Sequence, residues 1–480
     1  MSTLRLRPMR EVPATPLDTI SSNIAALTVK SCLVLHGTID MKRFATALQQ
    51  SIDFYTPWIV CALYVRDDGS GVVAAPRNDG CSSDGYLDCE LCDVDAPYSH
   101  ADVDVSTILP QRVHEKMNRV ELAFLSVHEL PICALRVTRY LDRVCIGYCL
   151  NHAFFDQSAI VYFFSFLSNL YTNNGVPTIK CPVFVPRAQC VQSEFSSYDD
   201  FVNAAPSGYS SSTSSGCNGG GEFKVIPHQT ITLVFNASSI ERLKRQSSSN
   251  HHISTNDIIH AVLLKILARA SKDDDDDNDD DLLQSRSSAR LRLLFARNMR
   301  SCLKRGPEVF GDYVRMEELS MSVDDDAAAP TSSLASLAEK SREVVSDRSS
   351  ADRFKQEIMW MLGYSRFHEG CKPPVPDYLT DRHAVIVSNW SSFPYNDIHF
   401  DSCHFELLRM ADSWVGTSGA FVRVVDQGRR DHDNTGGRRD STTTTTTIVA
   451  VIDTIYQSVI DAARTISSSD CDGNLYSCSS

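Results

Sequence analysis

The stretch that most constrains this chain is Cys145–Tyr171, CIGYCLNHAFFDQSAIVYFFSFLSNLY, which sets a histidine between two apolar segments of different period. Arg143 to Leu150 is a short apolar run rich in β-favouring residues, bounded by Leu141-Asp142, and it predicts a strand buried on both faces. Beyond His152 the spacing changes. Ala159, Ile160, Phe163, Phe164, Phe166, Leu167 and Leu170 are apolar on nearly every side of a helix, which places that helix in the interior. Asp156 stands just ahead of it, where a short acid caps the first turn.

A His-x-x-x-Asp by itself carries little, because a histidine at a strand end is usually a satisfied structural residue. Its weight comes from three later stretches: STNDIIHAVLLKILARA (Ser254 to Ala270), FARNMRSCLKRGPEVFGDY (Phe295 to Tyr313) and VSNWSSFPYNDIHFDS (Val387 to Ser402). In this order and spacing the four resemble the BAHD acyltransferases, which move an acyl group from coenzyme A to a hydroxyl or amine. That family shows His-x-x-x-Asp-Gly at mid-chain, Ser-Thr-Asn-Asp at a helix start, Asp-x-Arg followed by Phe-Gly-Asn, and Ser-Trp leading to Asp-Phe-Gly-Trp-Gly. The resemblance runs from about Leu4 to about Asp461.

The resemblance implies an α/β fold of two similar domains of the chloramphenicol acetyltransferase-like type. Each is a mixed β-sheet with flanking helices, and the active site lies at their interface. It implies His152 as general base, suited to the task because imidazole, with an unperturbed pKa of ~6.5, is mostly neutral yet able to take a proton. Asp156 would turn away from the substrates and pair with Arg300 as structural support. Ser388, Asn389 and Trp390 would supply oxyanion or positioning donors, and the region of Phe400 and Asp401 would lie on the coenzyme side. Acyl-CoA would be a co-substrate, with no permanently bound cofactor and no acyl-enzyme. From the residues alone, Trp390 beside Val385, Ile386 and Val387 reads first as a core ring at a strand end, and the resemblance reverses that order for Ser388 and Trp390.

Two departures from the family pattern stand out. Gln157 occupies the position of the Gly after the motif Asp, so the turn there must avoid positive φ. His399-Phe400-Asp401-Ser402-Cys403 keeps only the Phe of Asp-Phe-Gly-Trp-Gly, which bears on donor binding more than on base chemistry. Asp401 is expected either exposed on the channel wall or turned inward to a cation such as Arg300.

Length suits two cores of about 200 residues each. Pro206 to Gly221, PSGYSSSTSSGCNGGG, is too rich in Gly and Ser to bury a core and marks a linker. The expected division is 1–205, the linker 206–221, 222–466 with a segment near 383–398 crossing to the first sheet, and a structureless tail 467–480. Within the first part, Leu33 to Gly37 predicts a strand, Asp40 opens a helix, and 58–65 with 72–75 predicts a hairpin joining the first sheet. Leu109 to Met117 predicts a short helix, and Leu4 and Leu6 alternating with Arg5 and Arg7 favour an edge strand over a transit peptide. In the second part Ser254-Thr255-Asn256-Asp257 is a capping box, and His260 on that helix is read as solvated or at the core edge. The Asp run 273–281, Asp324 to Asp326 and Thr442 to Thr447 are low-complexity loops; the Asp run lacks the glycine and carbonyl pattern of a calcium loop.

A net charge of -14 argues against nucleic acid as a partner, and no apolar run reaches membrane-spanning length. The 16 cysteines are scattered without a secretory signal, which fits reduced thiols in a cytoplasmic chain; Cys89 and Cys92, with no matched second pair, are a poor metal site, so no metal is expected. A monomer acting on acyl-CoA and a small-molecule alcohol or amine is the expected form. Two alternatives remain open: a non-catalytic BAHD-like binding protein, favoured by the altered C-terminal motif, and a condensation-type domain acting on carrier-bound thioesters. Asn151 stands where the latter has a second histidine.

Overall fold

The computed structural model describes residues 1–9, 28–65, 72–76, 85–111, 130–191, 195–206, 229–246, 252–273, 290–322, 333–367, 384–410, 420–426, 448–454, 457–469 and 476–479. In chain order the strands are β1 Ser2–Leu6, β2 Thr28–His36, β3 Cys61–Val65, β4 Val72–Pro76, β5 Leu87–Asp93, β6 Leu130–Pro131, β7 Cys133–Arg139, β8 Arg143–Asn151, β9 Val183–Phe184 and β10 Gln229–Phe235. They continue as β11 Arg290–Asn298, β12 Val309–Phe310, β13 Val314–Ser322, β14 Ala384–Asn389, β15 His399–Phe400, β16 Cys403–Met410, β17 Ala420–Asp426, β18 Ile448–Thr454 and β19 Tyr476–Ser479. The helices are α1 Met41–Phe54, α2 Val105–Ile108, α3 Gln157–Thr172, α4 Tyr198–Asn203, α5 Ala237–Gln246, α6 Thr255–Asp273, α7 Leu334–Ser346, α8 Ser350–Phe367 and α9 Gln457–Ser469.

Two seven-stranded sheets carry the molecule, in the orders β1-β5-β7-β8-β2-β16-β15 and β13-β11-β14-β17-β18-β10-β19. Both are mixed: β5 and β7 run parallel in the first, and β14 runs parallel to β11 and β17 in the second. This is the α/β architecture of two domains implied by the motif order. β8 lies inside the first sheet between β7 and β2, and all its residues after Arg143 are buried, so its apolar run has no polar face. Helix α3 buries Ile160, Phe163, Phe164 and Leu167 with Phe44 and Leu48 of α1 in the first core. Helices α6, α7 and α9 form the second core over Leu293, Val385, Val422 and Ile452.

Three expectations are corrected. The hairpin β3–β4 does not join the first sheet; it pairs with β6 in a separate three-stranded sheet, since the β5 edge of the first sheet is already taken by β1. The segment that crosses to the first sheet is β15–β16, which pairs with β2, while Ala384–Asn389 stays inside the second sheet. The tail is not structureless, because α9 extends to Ser469 and Tyr476–Ser479 pairs antiparallel with β10. A short helix also forms at Val105–Ile108, capped by Asp104, and Gln111, inside the predicted 109–117 stretch, is itself helical. Residues 207–221, 274–281, 324–326 and 442–447, and the end of the 109–117 prediction, lie outside the described residues.

Cys89 and Cys92 stand three apart on β5, so their side chains leave opposite faces of the sheet and cannot share an ion. No helix among the described residues is long and apolar enough to cross a membrane.

The capping box of α6 forms: Ser254 Oγ accepts from Asp257 N–H at 3.4 Å and Asp257 Oδ2 accepts from Ser254 N–H at 2.7 Å. Asp257 also receives the Ser341 hydroxyl and the Arg342 guanidinium, tying α6 to α7. His260 is not at an exposed edge. It is buried, with Nδ1 2.9 Å from Ser341 Oγ and its ring 4.5 Å from that of Phe295. Burial pushes its pKa down to about 4, only partly offset by Asp257. The folded pKa lies below the unfolded one, so the stability this neutral ring contributes is full above the unfolded value and lost as pH falls toward the folded one. Between pH 6.5 and 4 the loss is expected to reach roughly 3 kcal/mol. Urea unfolding at both ends of that window should show it in the wild type and show a smaller loss in His260→Gln; equal losses in the two proteins would contradict it.

Candidate active site

The turn after β8 is built by its own side chains. Asn151 is buried, and its Oδ1 accepts from Ala153 N–H at 3.1 Å, which holds His152 at the apex of the turn. Phe154 and Phe155 anchor the turn below, packing with Trp58, Phe184 and Phe310. Asp156 then caps α3, accepting from Ala159 N–H at 3.0 Å with φ of -79°. Gln157 follows as an ordinary first helical residue and donates to the Tyr395 hydroxyl at 2.8 Å, so no glycine is required there.

The second half of the chain meets this turn through residues 298–313. Arg300 Nη1 lies 2.6 Å from Asp156 Oδ2, and the two side chains are 3% and 1% exposed. Arg300 donates as well to the carbonyls of Val309 and Gly311, while Asp156 Oδ2 also takes Tyr313 N–H at 3.0 Å. Asn298 stands where the family has Asp, and its Oδ1 accepts from Arg300 N–H at 3.0 Å and from Arg300 Nη1 at 3.3 Å, holding both the loop and the guanidinium. Gly311 N–H bonds to Phe154 O at 3.1 Å. At Gly311 φ is +129° and an added Cβ would sit 3.1 Å from Val185 O, so a side chain there would be strained and would crowd that carbonyl. β9 and β12, paired in parallel, add a second seam beside it.

His152 is the part of this seam left open. Its side chain is 31% exposed while its neighbours on either side are buried. Nδ1 itself is buried and makes no hydrogen bond, and the nearest carboxylate oxygen is Asp312 Oδ1 at 3.8 Å. Asp312 in turn faces Arg187, Nη1 to Oδ2, at 3.6 Å. Sequence reasoning singled out neither Asp312 nor Arg187. The available signal was the Asp of Val309-Phe310-Gly311-Asp312, where the family has Asn; Arg187 carried none.

The donors expected at the end of β14 are largely committed. The Trp390 indole N–H donates to Ser388 Oγ at 2.6 Å, and the Trp390 ring packs against the first core. Asn389 donates to Asn256 Oδ1 and accepts from both the backbone and hydroxyl of Ser391. The Ser388 hydroxyl hydrogen is thus a donor of this trio left for a reacting oxygen, beside the second amide hydrogen of Asn389. No hydrogen bond joins any of the three to His152.

Phe400 and Asp401 have different surroundings. Phe400 is buried in the first core against Phe44 and Tyr171. Asp401, in the two-residue loop between β15 and β16, pairs with Arg43 at 2.6 Å, and the same guanidinium lies over the Tyr171 ring. It reaches neither Arg300 nor an unpaired place on a wall, because its positive φ of 54° aims it at α1.

Two outcomes follow from this geometry. Asp156→Ala strands a buried guanidinium and should cost about 3–5 kcal/mol, read as a lower denaturant midpoint; a variant as stable as wild type would deny the pair its structural role. Asp401→Gly should change stability by less than ~1 kcal/mol, because a half-exposed ion pair is exchanged for relief of a positive φ. A drop of several kcal/mol on the same measurement would show that the pair holds the hairpin.

The sequence of this chain matches the Transferase family over residues 96–426, more than half its length. No curated protein matches it in sequence. Among solved structures it is similar to TRI101 of F. graminearum in complex with ethyl coenzyme A, with a TM-score of 0.62, 12% identity, and 99% of each chain covered. It is similar to vinorine synthase at a TM-score of 0.58 and 13% identity, covering 96% of this chain and 95% of that one. The first condensation domain of the CDA synthetase follows at a TM-score of 0.53 and 13% identity, covering 96% and 97%. At such identities the structures speak for the shared fold alone. The family match, together with the four ordered motifs around His152, decides the family: this chain belongs to the Transferase family, the BAHD acyltransferases.

Proposed function

We propose that the protein transfers an acyl group from an acyl-coenzyme A to a hydroxyl or amine of a small-molecule acceptor, with His152 as general base. The observation that carries the reading is the division of roles at the turn: the motif acid is buried and fully bonded, while the imidazole alone stays open at the seam between the two halves. TRI101 is described with coenzyme A and with T-2 toxin, and the reading extends that donor class to this chain.

The chemistry follows from the residues. His152 takes the acceptor proton as the oxygen or nitrogen attacks the thioester carbonyl, and the proton then passes to the departing thiolate. The attack needs no covalent enzyme intermediate. The developing oxyanion would draw on the free hydroxyl hydrogen of Ser388, whose oxygen is already fixed by the Trp390 indole. Asp156 is a support: each of its oxygens is spent on the helix cap, Arg300 or Tyr313 N–H, so it is not a relay.

One observation bears on the non-catalytic reading. It rested on the altered C-terminal motif, and that motif is a well-packed hairpin whose carboxylate is neutralised by Arg43. Against the carrier-thioester reading, Asn151 is used to cap the turn.

Release of free coenzyme A thiol across a panel of acyl-CoAs, each mixed with pooled alcohols and amines, tests the proposal. His152→Ala is expected to lower kcat by roughly 10²–10⁴-fold while melting near wild type. An alanine variant that turns over normally would remove the mechanism, and one that unfolds would assign His152 to packing.

A further inference from the structure

We propose that Asp312, held by Arg187, is the positioning residue of His152. Its carboxylate accepts a hydrogen bond from Nδ1–H, which keeps its proton, and so leaves the Nε2 lone pair free for the substrate. The inference rests on the reading of His152 as the base, and it assigns the orienting role to an acid outside the His-x-x-x-Asp motif.

The argument begins with an unmet need. His152 Nδ1 is buried without a partner, and a buried ring nitrogen left unbonded is costly. Asp156 cannot meet that need, because both its oxygens are taken. Asp312 can. Its Oδ1 is 3.8 Å from Nδ1, beyond a hydrogen bond in the free chain but within a small ring rotation of one, and catalytic hydrogen bonds often tighten only when substrate is bound.

Asp312 is also fixed relative to the ring it would orient. Its N–H bonds to the carbonyl of Ala153, the residue next to His152, at 3.2 Å, so the two move together. Its own Oδ1 takes only a long bond, from Val314 N–H at 3.3 Å, leaving room for a second donor. On the far side Arg187 is buried, faces Oδ2 at 3.6 Å, and has an Nη2 that bonds to nothing. Behind Arg187 stands Glu357 of α8, itself paired with Arg315. The charged groups around the imidazole are therefore Asp312 and Arg187 along one line, and the closed pair Asp156–Arg300 along another. A carboxylate in place of the family's Asn, with a buried guanidinium to offset it, is what this chain adds.

Nitrogen NMR of the full chain labelled with ¹⁵N-histidine tests this, with the His152 signals assigned by their loss in His152→Ala. The neutral wild-type ring is expected to carry its proton on Nδ1, and Asp312→Ala to move it toward Nε2. In the thiol-release assay Asp312→Ala should lower kcat at least about tenfold with the KM for acyl-CoA changed less than about twofold. Asp312→Asn, which keeps the shape and one acceptor oxygen, should fall between the two, and it supplies the same readouts if the alanine variant fails to fold. A wild-type ring protonated on Nε2 would overturn the proposal, as would variants whose tautomer and kcat match wild type. The tautomer is measured without turnover, so a protein inactive with every donor would sink the acyl-transfer reading and still leave this one decided.

Discussion

The contact between Asp156 and Arg300 is the interaction on which the rest depends. Burying two charges costs several kcal/mol per ion, and their attraction offsets this only if the remaining donors and acceptors are bonded too. Here they are. The guanidinium spends its other nitrogens on the carbonyls of Val309 and Gly311, and its plane lies 5.0 Å from the centre of the Tyr313 ring; the carboxylate takes the cap N–H of Ala159 and that of Tyr313. The pair therefore closes a network in which each partner fixes backbone as well as charge. Residues from the first half at 153–159 and from the second at 298–313 become one rigid seam, and the histidine rides on it.

That rigidity has a consequence for the chemistry. An acid used to join two halves is not free to orient an imidazole, so structural and catalytic duties fall to different residues. The aromatic cluster of Trp58, Phe154, Phe155, Phe184 and Phe310 supports the turn from beneath, leaving His152 its open edge as the adjustable element. The fold supplies a narrow range for that adjustment, since both chain neighbours of His152 are bonded into the turn.

How far the sequence spoke depended on whether a feature is local. The β8–His152–α3 unit was legible because a change of apolar period from strand to helix is written within a few dozen residues, and the α6 cap because Ser254 and Asp257 sit three apart. Strand partners were not legible, since pairing between β16 and β2 joins residues about 370 apart in sequence and nothing in either segment names the other. Tyr476–Ser479 follows a polar Ser- and Asp-rich stretch and reads as tail, yet Tyr476 finds a buried place beside Phe235. Asn389 and Trp390 were expected as donors to substrate; that their hydrogens go to Asn256 and Ser388 depends on side-chain directions, which spacing does not encode. His260 shows the same limit, because a histidine on a helix face is placed by what packs opposite it.

The C-terminal motif illustrates why a lost signature need not be a lost structure. Of its five positions the chain keeps the one whose ring belongs to the core, Phe400 against Phe44 and Tyr171. The loop still needs a residue with positive φ, and Asp401 adopts it, Asp being among the few side chains that tolerate that region. The carboxylate so introduced meets Arg43, whose guanidinium also reaches the Thr172 carbonyl at the end of α3. The hairpin is thereby tied to both helices of the first core. The altered motif is a substitution that packing, backbone and charge each accommodate.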